Sequence, residues 1–153
     1  INKYYSKLMK KILILFLFLS ACGYQKLYNT NLIEFEFSKI NLSGDVKINR
    51  QIISSLNLNE TNKVSDKEIS INSSQSIVVS SKDAQGQPAT YRTNVIVTVL
   101  IKNQGKVEKT KTFDENFSYN NIENKYDLSV YQKDVQDNLI EKIIDDLIVY
   151  INL

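Results

Sequence analysis

From Asp127 to Asn152, apolar residues return at every fourth position: Tyr131, Val135, Leu139, Ile143, Leu147 and Ile151. Ile140, Ile144 and Ile148 widen the stripe, while Asp134, Asp137, Glu141, Asp145 and Asp146 make the opposite side acidic. A period near four is helical, so the segment predicts a long amphipathic helix. An apolar face this broad must lie against something, and the rest of the chain has to provide a matching surface. Packing on a sheet is one account of the stripe. A partner facing part of it is the other.

Strand patterns supply the surface. In Leu32–Phe37, Ile33, Phe35 and Phe37 alternate with Glu34 and Glu36, which reads as a half-buried strand. Ile69–Val79 reads as a second strand, polar on one side. Ala89–Lys102 is the strongest: Tyr91, Val95, Val97, Val99 and Ile101 share one face, and Ile96 and Leu100 make the other partly apolar. Apolar residues on both faces predict a central strand. Lys106–Tyr119 follows across Asn103-Gln104-Gly105, a hairpin spacing, with Val107, Phe113, Phe117 and Tyr119 expected on one face. Asp45–Leu58 carries Val46, Ile48, Ile52, Ile53 and Leu56 at helical spacing behind a Ser-Gly-Asp start. The expected fold is therefore α+β, in the order β-α-β-β-β-α. It is a two-layer sandwich of a four-stranded, mostly antiparallel sheet and two amphipathic helices. The first strand is joined through a helical crossover, which allows parallel pairing.

Several function classes drop out on composition. The 153 residues include no His and one Cys, which removes imidazole bases, Ser-His-Asp or Cys-His catalysis, an internal disulfide and a Cys-rich zinc site. No phosphate-cradling glycine pattern occurs: Gly44, Gly86 and Gly105 each sit in a polar turn-like stretch. Of the 19 Lys and Arg, four (Lys3, Lys7, Lys10 and Lys11) precede Cys22, where no acid occurs. From Cys22 onward acids outnumber bases, which argues against a nucleic-acid partner. The adjacent acids Asp114-Glu115 and Asp145-Asp146 point apart in a strand or helix and make poor acid/base dyads. No catalytic function and no metal are expected.

The first residues form an address. A cationic start leads into the eight-residue apolar run Ile12–Leu19, then Ser20, Ala21 and Cys22. The run is far too short to span a bilayer. Leu19-Ser20-Ala21-Cys22 resembles a bacterial lipobox, in which the Cys thiolate accepts a diacylglycerol and the peptide is cut just before it. Residues 1–21 are thus expected to be a lipoprotein signal peptide, and 22–153 one domain lipidated at Cys22. A covalent lipid anchor on Cys22 is the only prosthetic group expected. Three acyl chains at about 0.8 kcal/mol per buried CH₂ would make anchoring effectively permanent. An ordinary signal peptide before a chance cysteine is the alternative. Gly23, rather than Asp, after the cysteine looks like an outer-membrane address on the periplasmic side.

With a lipobox in front, this layout resembles the LptE family of lipopolysaccharide-assembly lipoproteins of the Gram-negative outer membrane. Cys22-Gly23-Tyr24-Gln25-Lys26-Leu27-Tyr28 is similar to the family start, with Lys26 where alphaproteobacterial members carry Pro. Gly86-Gln87-Pro88-Ala89-Thr90-Tyr91-Arg92 is similar to the segment that opens the family's central strand. The long C-terminal tail of enterobacterial members is absent. The resemblance implies a non-catalytic plug inside an LptD-type outer-membrane β-barrel. It also implies a part in assembling that barrel, in binding lipopolysaccharide and in its insertion into the outer leaflet. Because lipid A carries phosphates, its site should hold Lys or Arg. Lys82 and Arg92 flank the Gly86-Gln87 turn, and the resemblance points to Lys82 and Lys125 as the family's basic positions. Ordinary solvated side chains are the competing account.

Lys102, Lys106, Lys109 and Lys111 form a denser group. They either guard a sheet edge or face phosphates or acidic barrel residues. Tyr24 and Tyr28 suit a membrane interface or simple core filling. A scaffold or adaptor lipoprotein of another envelope assembly is the alternative function. A topology without a helix between the first two strands would favour it.

Overall fold

The computed structural model describes residues 35–61 and 66–152. The leader, Cys22, Tyr24, Tyr28 and the Leu32–Glu34 part of the first expected strand lie outside the described residues. The elements are β1 (Phe35–Phe37), β2 (Lys39–Gly44), α1 (Val46–Leu56), β3 (Leu58–Glu60), β4 (Lys67–Lys82), β5 (Pro88–Asn103), β6 (Lys106–Asn120) and α2 (Lys125–Asn152).

The main sheet has four strands in the order β2-β4-β5-β6. β2 pairs in parallel with β4, from Lys39 opposite Glu68 to Gly44 opposite Ser73. The β4–β5 and β5–β6 pairs are antiparallel. The helical crossover and the central place of the 89–102 strand therefore match the sequence pattern. The first strand does not. Phe35–Phe37 leaves the main sheet and pairs in parallel with β3, which the sequence reading had merged into the helix end and the loop after it. The sheet edge is Lys39–Gly44 instead. The switch falls at Ser38, whose amide and hydroxyl both donate to the Lys67 carbonyl. One extended run thus serves two short pairings.

Both helices cover one face of the sheet. Ile48, Ile52 and Leu56 of α1 are buried with Leu128, Val135, Leu139, Ile140, Ile143, Ile144, Leu147 and Ile148 of α2. Beneath them lie Ile69, Ile71, Val95, Val97, Val99, Ile101, Phe113 and Tyr119. The fourfold stripe of α2 is core, with Tyr131 its most exposed member. Not every expected core position is buried: Phe117 keeps its expected face but stays 48% exposed. Val46 opens α1 on the solvent side at 68% exposure. Val107 stands opposite Lys102 because a register shift after Ile101 puts it on the other face from Phe113 and Tyr119.

That other face of the sheet carries no second layer among the described residues. It is a field of Ser70, Asn72, Ser74 and Ser76 on β4, Asn94 and Thr98 on β5, and Thr110, Thr112, Asn116 and Ser118 on β6. Ile96 and Leu100 lie among them. The β5–β6 turn is the two-residue Gln104-Gly105 loop, with φ of 51° and 74°. Two positive φ values are what a hairpin turn of this length requires.

A polar stitch seats α1 where β2 ends. Gly44 has φ of +85° and lets the chain turn off the sheet. The Asp45 amide donates to the Ser73 carbonyl, and its carboxylate caps α1 by accepting from the Lys47 and Ile48 amides at 2.8 and 3.0 Å. Beneath, the buried Ser73 hydroxyl donates to Asn49 Oδ1 at 2.8 Å, and Asn49 Nδ2 donates to the Ser43 carbonyl at 2.9 Å. Each buried polar group in the stitch therefore has a partner, as burial demands.

Candidate functional site

The domain has two distinct ends, separated by the sixteen residues of β5, or about 50 Å at the strand rise. The described chain begins at the root end. There Phe35 and Phe37 meet the start of β4, the end of β5 and the last turn of α2 around a cleft of ≈ 190 Å³ that Lys67, Ile101, Lys109 and Ile151 also line. That volume is below the usual range of a small-molecule site. The opposite, far end holds the β4–β5 turn and the start of α2.

The three basic candidates all fall at the far end. Lys82 closes β4 opposite Pro88. Arg92 stands on the uncovered face of β5, between Val78 and Ser118, and its Nε donates to Ser118 Oγ at 3.1 Å. Lys125 is the first residue of α2, reached from β6 by a link in which the Asn121 amide donates to the Ala89 carbonyl. Asn124 fixes that start: its carboxamide oxygen accepts from the Tyr126 amide and its carbonyl from the Leu128 amide. Among the described residues none of the three cations is ion-paired. The topology thus puts positions 82, 92 and 125, from three separate elements, at one end of the domain, with Arg92 on the face of the sheet away from the helices.

Apolar side chains share this end. Ile77, Val78 and Val79 on β4, Phe117 on β6, and Tyr126 and Val130 on α2 are all exposed. The sequence reading places Ile77 to Val79 and Phe117 in strands and assigns no role to Tyr126 or Val130. The signal for them was Ile77-Val78-Val79, three β-branched residues in an otherwise Ser-, Asn- and Gln-rich strand. Cations that share an end with exposed apolar groups suit an amphiphile with an anionic head: the cations match phosphate or carboxylate oxygens and the apolar groups match hydrocarbon.

The second lysine group does not act as a unit. Lys109 and Lys111 point to the helix face, where their ammonium groups lie 5.8 and 5.4 Å from the Tyr150 ring centre, and Lys111 is 4.7 Å from that of Phe113. These cation–π contacts fasten the edge of β6 to α2. Lys106 sits in the turn opposite Asn103, and Lys102 lies half-buried on the uncovered face. All four belong to the root end.

Asp114 and Glu115 point to opposite faces, as their adjacency in a strand requires. Asp114 stands opposite Ile96, while Glu115 Oε2 accepts from Lys142 Nζ on α2 at 2.7 Å. That hydrogen bond, then the Glu115 charge, hold the Lys142 ammonium above its ordinary range, with a smaller push from Asp146. The bridge is exposed and contributes little to stability. No group of three metal-ligating side chains occurs among the described residues.

No family profile matches the chain, and no curated protein matches it in sequence. Its fold, however, is that of solved lipoproteins. The chain is similar to rare lipoprotein B from Shewanella oneidensis at 13% identity and a TM-score of 0.57, with 74% of this chain and 93% of that one covered. An uncharacterized lipoprotein B from Nitrosomonas europaea is similar at 7% identity and a TM-score of 0.58, with coverages of 82% and 87%. A minor lipoprotein from Acinetobacter baumannii is similar at 14% identity and a TM-score of 0.52, covering 74% and 89%. At these identities the likeness is one of fold.

Proposed function

We propose that the chain is an LptE-like lipoprotein of the outer membrane, tethered through Cys22 on the periplasmic side. It plugs and helps assemble an LptD-type β-barrel and assists the passage of lipopolysaccharide to the outer leaflet. The observation that carries this reading is the far end, where Lys82, Arg92 and Lys125, none of them ion-paired among the described residues, share one end of the domain with exposed apolar side chains: Val78 beside Arg92 on the uncovered face, and Ile77, Val79, Phe117 and Tyr126 on the helix side. Lipid A presents phosphates next to acyl chains, and this end offers the matching pair of chemistries. The chain enters the described domain at the other end, about 50 Å away, so a tether at Cys22 leaves the far end free to meet a ligand.

Three further features support the reading. The fold is one that lipoproteins use. The uncovered face of the sheet is polar, with Glu68, Arg92, Lys102 and Asp114 set among Ser, Asn and Thr, which suits the water-facing interior of a barrel better than lipid. A helix joins the first strand of the main sheet to the second, and its absence would have favoured a scaffold role in another envelope assembly. In this reading the protein performs no catalysis and binds no nucleic acid. Lys82, Arg92 and Lys125 hold phosphate oxygens, and the neighbouring apolar side chains keep the first carbons of the acyl chains from water.

Depleting the protein from cells tests the role. Lipopolysaccharide accessible to an externally added protease-resistant antibody is expected to fall severalfold while its total amount holds. Unchanged surface lipopolysaccharide after depletion would refute the reading.

A further inference from the structure

β4 has a neighbour on both sides only as far as Ser73. There β2 ends, opposite Ser73, and leaves into α1. β4 runs on to Lys82 paired with β5 alone, so among the described residues no strand covers the other edge of Ser74–Ser80. The hydrogen bonds show which groups face that edge. The Lys67 and Ser73 carbonyls accept from Ser38 and Asp45 on the β2 side. Odd-numbered residues of this regular strand therefore turn their amides and carbonyls that way. Gln75, Ile77 and Val79 continue the row without a partner strand.

Proteins normally blunt such an edge with Lys, Pro, an inward charge or a bulge. This one has no charged residue and no proline from Ile69 through Ser81. Its register shifts come only after Val79. Ile77, Val78 and Val79 are 47%, 44% and 43% exposed, so the edge carries apolar side chains on both faces.

We propose that a second copy of this chain closes the edge, β4 against β4, antiparallel about a two-fold axis through Ile77. A row of amides and carbonyls is matched by another strand. The neutral stretch asks for a neutral strand, and its ends ask for opposite charges. Asp45 bounds one end, bonded to the Ser73 carbonyl and to Gln75 Nε2. Lys82 stands at the other. The neighbouring Asp83 carboxylate is turned into its own loop, where it accepts from the Gln85 and Gln87 amides.

The Asp45 carboxylate also accepts from backbone amides, those of Lys47 and Ile48, but it keeps its charge, so an antiparallel partner that brings a base toward Asp45 and an acid toward Lys82 is the better matched one. The same segment reversed does both. Ser74 falls opposite Ser80, Gln75 opposite Val79 and Ser76 opposite Val78, and each Lys82 approaches the other copy's Asp45. The register shifts after Val79 end the regular strand where the other copy's Gly44–Asp45 turn begins. The two four-stranded sheets become one. The inference concerns the free protein and does not depend on the proposed function.

The test is thiol cross-linking of the full chain, produced without a barrel partner and extracted in mild detergent. Ile77→Cys in the full chain is expected to give a covalent dimer with a short bis-maleimide. The unsubstituted chain, whose sole cysteine is Cys22, and Ser54→Cys on the exposed side of α1 are expected not to. Sedimentation of the detergent-extracted protein is expected to show a reversible dimer. Ile77→Pro should raise its dissociation constant by at least about tenfold. It should leave the melting temperature nearly unchanged, because the amide it removes faces the free edge. If that variant does not fold, Ile77→Lys, which charges the same edge, is read in its place. The proposal is overturned by a monomer at every concentration, by an Ile77→Cys product that contains only some other protein, or by unchanged association in the edge variant.

Discussion

Gly44→Ala is expected to cost roughly 3–5 kcal/mol, the range reserved for steric and backbone conflicts that the fold cannot relax. A methyl group at Gly44 would sit 1.8 Å from the Ser73 carbonyl oxygen and 2.8 Å from its carbon, both backbone atoms. That carbonyl is held by the Asp45 amide, and the Ser73 side chain by Asn49, so neither side of the contact has room to give. The φ of +85° adds a conformational penalty for any L side chain. Gly86 separates the two effects. Its φ is +81°, yet nothing lies within 4 Å of the position a Cβ would take. Gly86→Ala should therefore cost only about 1–2 kcal/mol, the penalty of the left-handed conformation alone. Thermal melts followed by circular dichroism distinguish them, with a drop of about 10 °C or more for Gly44→Ala. Equal losses in the two variants would show that the close approach at the end of β2 does not constrain the fold.

The second large effect is on binding. Replacing Lys82, Arg92 and Lys125 together by glutamine is expected to weaken lipopolysaccharide binding by about three orders of magnitude. Each charge-assisted contact to a phosphate is taken as roughly tenfold. The three are exposed and, among the described residues, in no ion pair, so the folded state should hardly notice the change. Lys102, Lys109 and Lys111 are the control. They carry the same charge at the root end, and two of them are occupied by aromatic rings of α2 and β6. Their triple glutamine variant should bind nearly as the parent does. Titration of fluorescent lipopolysaccharide reads both. Equal losses would mean that total charge, and not the far end, governs binding.

The architecture was legible where one periodicity ran unbroken. Ala89–Lys102 and the fourfold stripe of α2 show their buried faces in their spacing alone, and both stand within two residues of the expected bounds. The parallel edge strand was harder to place. Phe35-Glu36-Phe37 alternates more strongly than Lys39–Gly44, yet the weaker pattern takes the sheet edge, because Ser38 breaks the run and Gly44 must reach Ser73. Strength of alternation does not say which of two adjoining stretches a sheet will bind.

Val107 was misplaced for a different reason. A single register shift at Ile101 moves it to the opposite face, and no residue type announces a bulge there. The basic site was legible only in pieces. Nothing in the spacing of Lys82, Arg92 and Lys125 says that they share one end. That follows from antiparallel β4, β5 and β6 turning back together, and from α2 starting beside Ala89. The free edge at Ile77 could not be read at all without knowing where β2 stops.

The proposed role rests on the protein meeting a barrel and lipopolysaccharide in the envelope, and both are accessible in one purification. The full chain, tagged at its C-terminus and extracted from membranes in mild detergent, is expected to bring down an outer-membrane β-barrel protein together with bound lipopolysaccharide. The Lys82, Arg92 and Lys125 triple variant should keep the barrel and lose most of the lipid. Recovery of the protein with no barrel and no lipopolysaccharide would contradict the account.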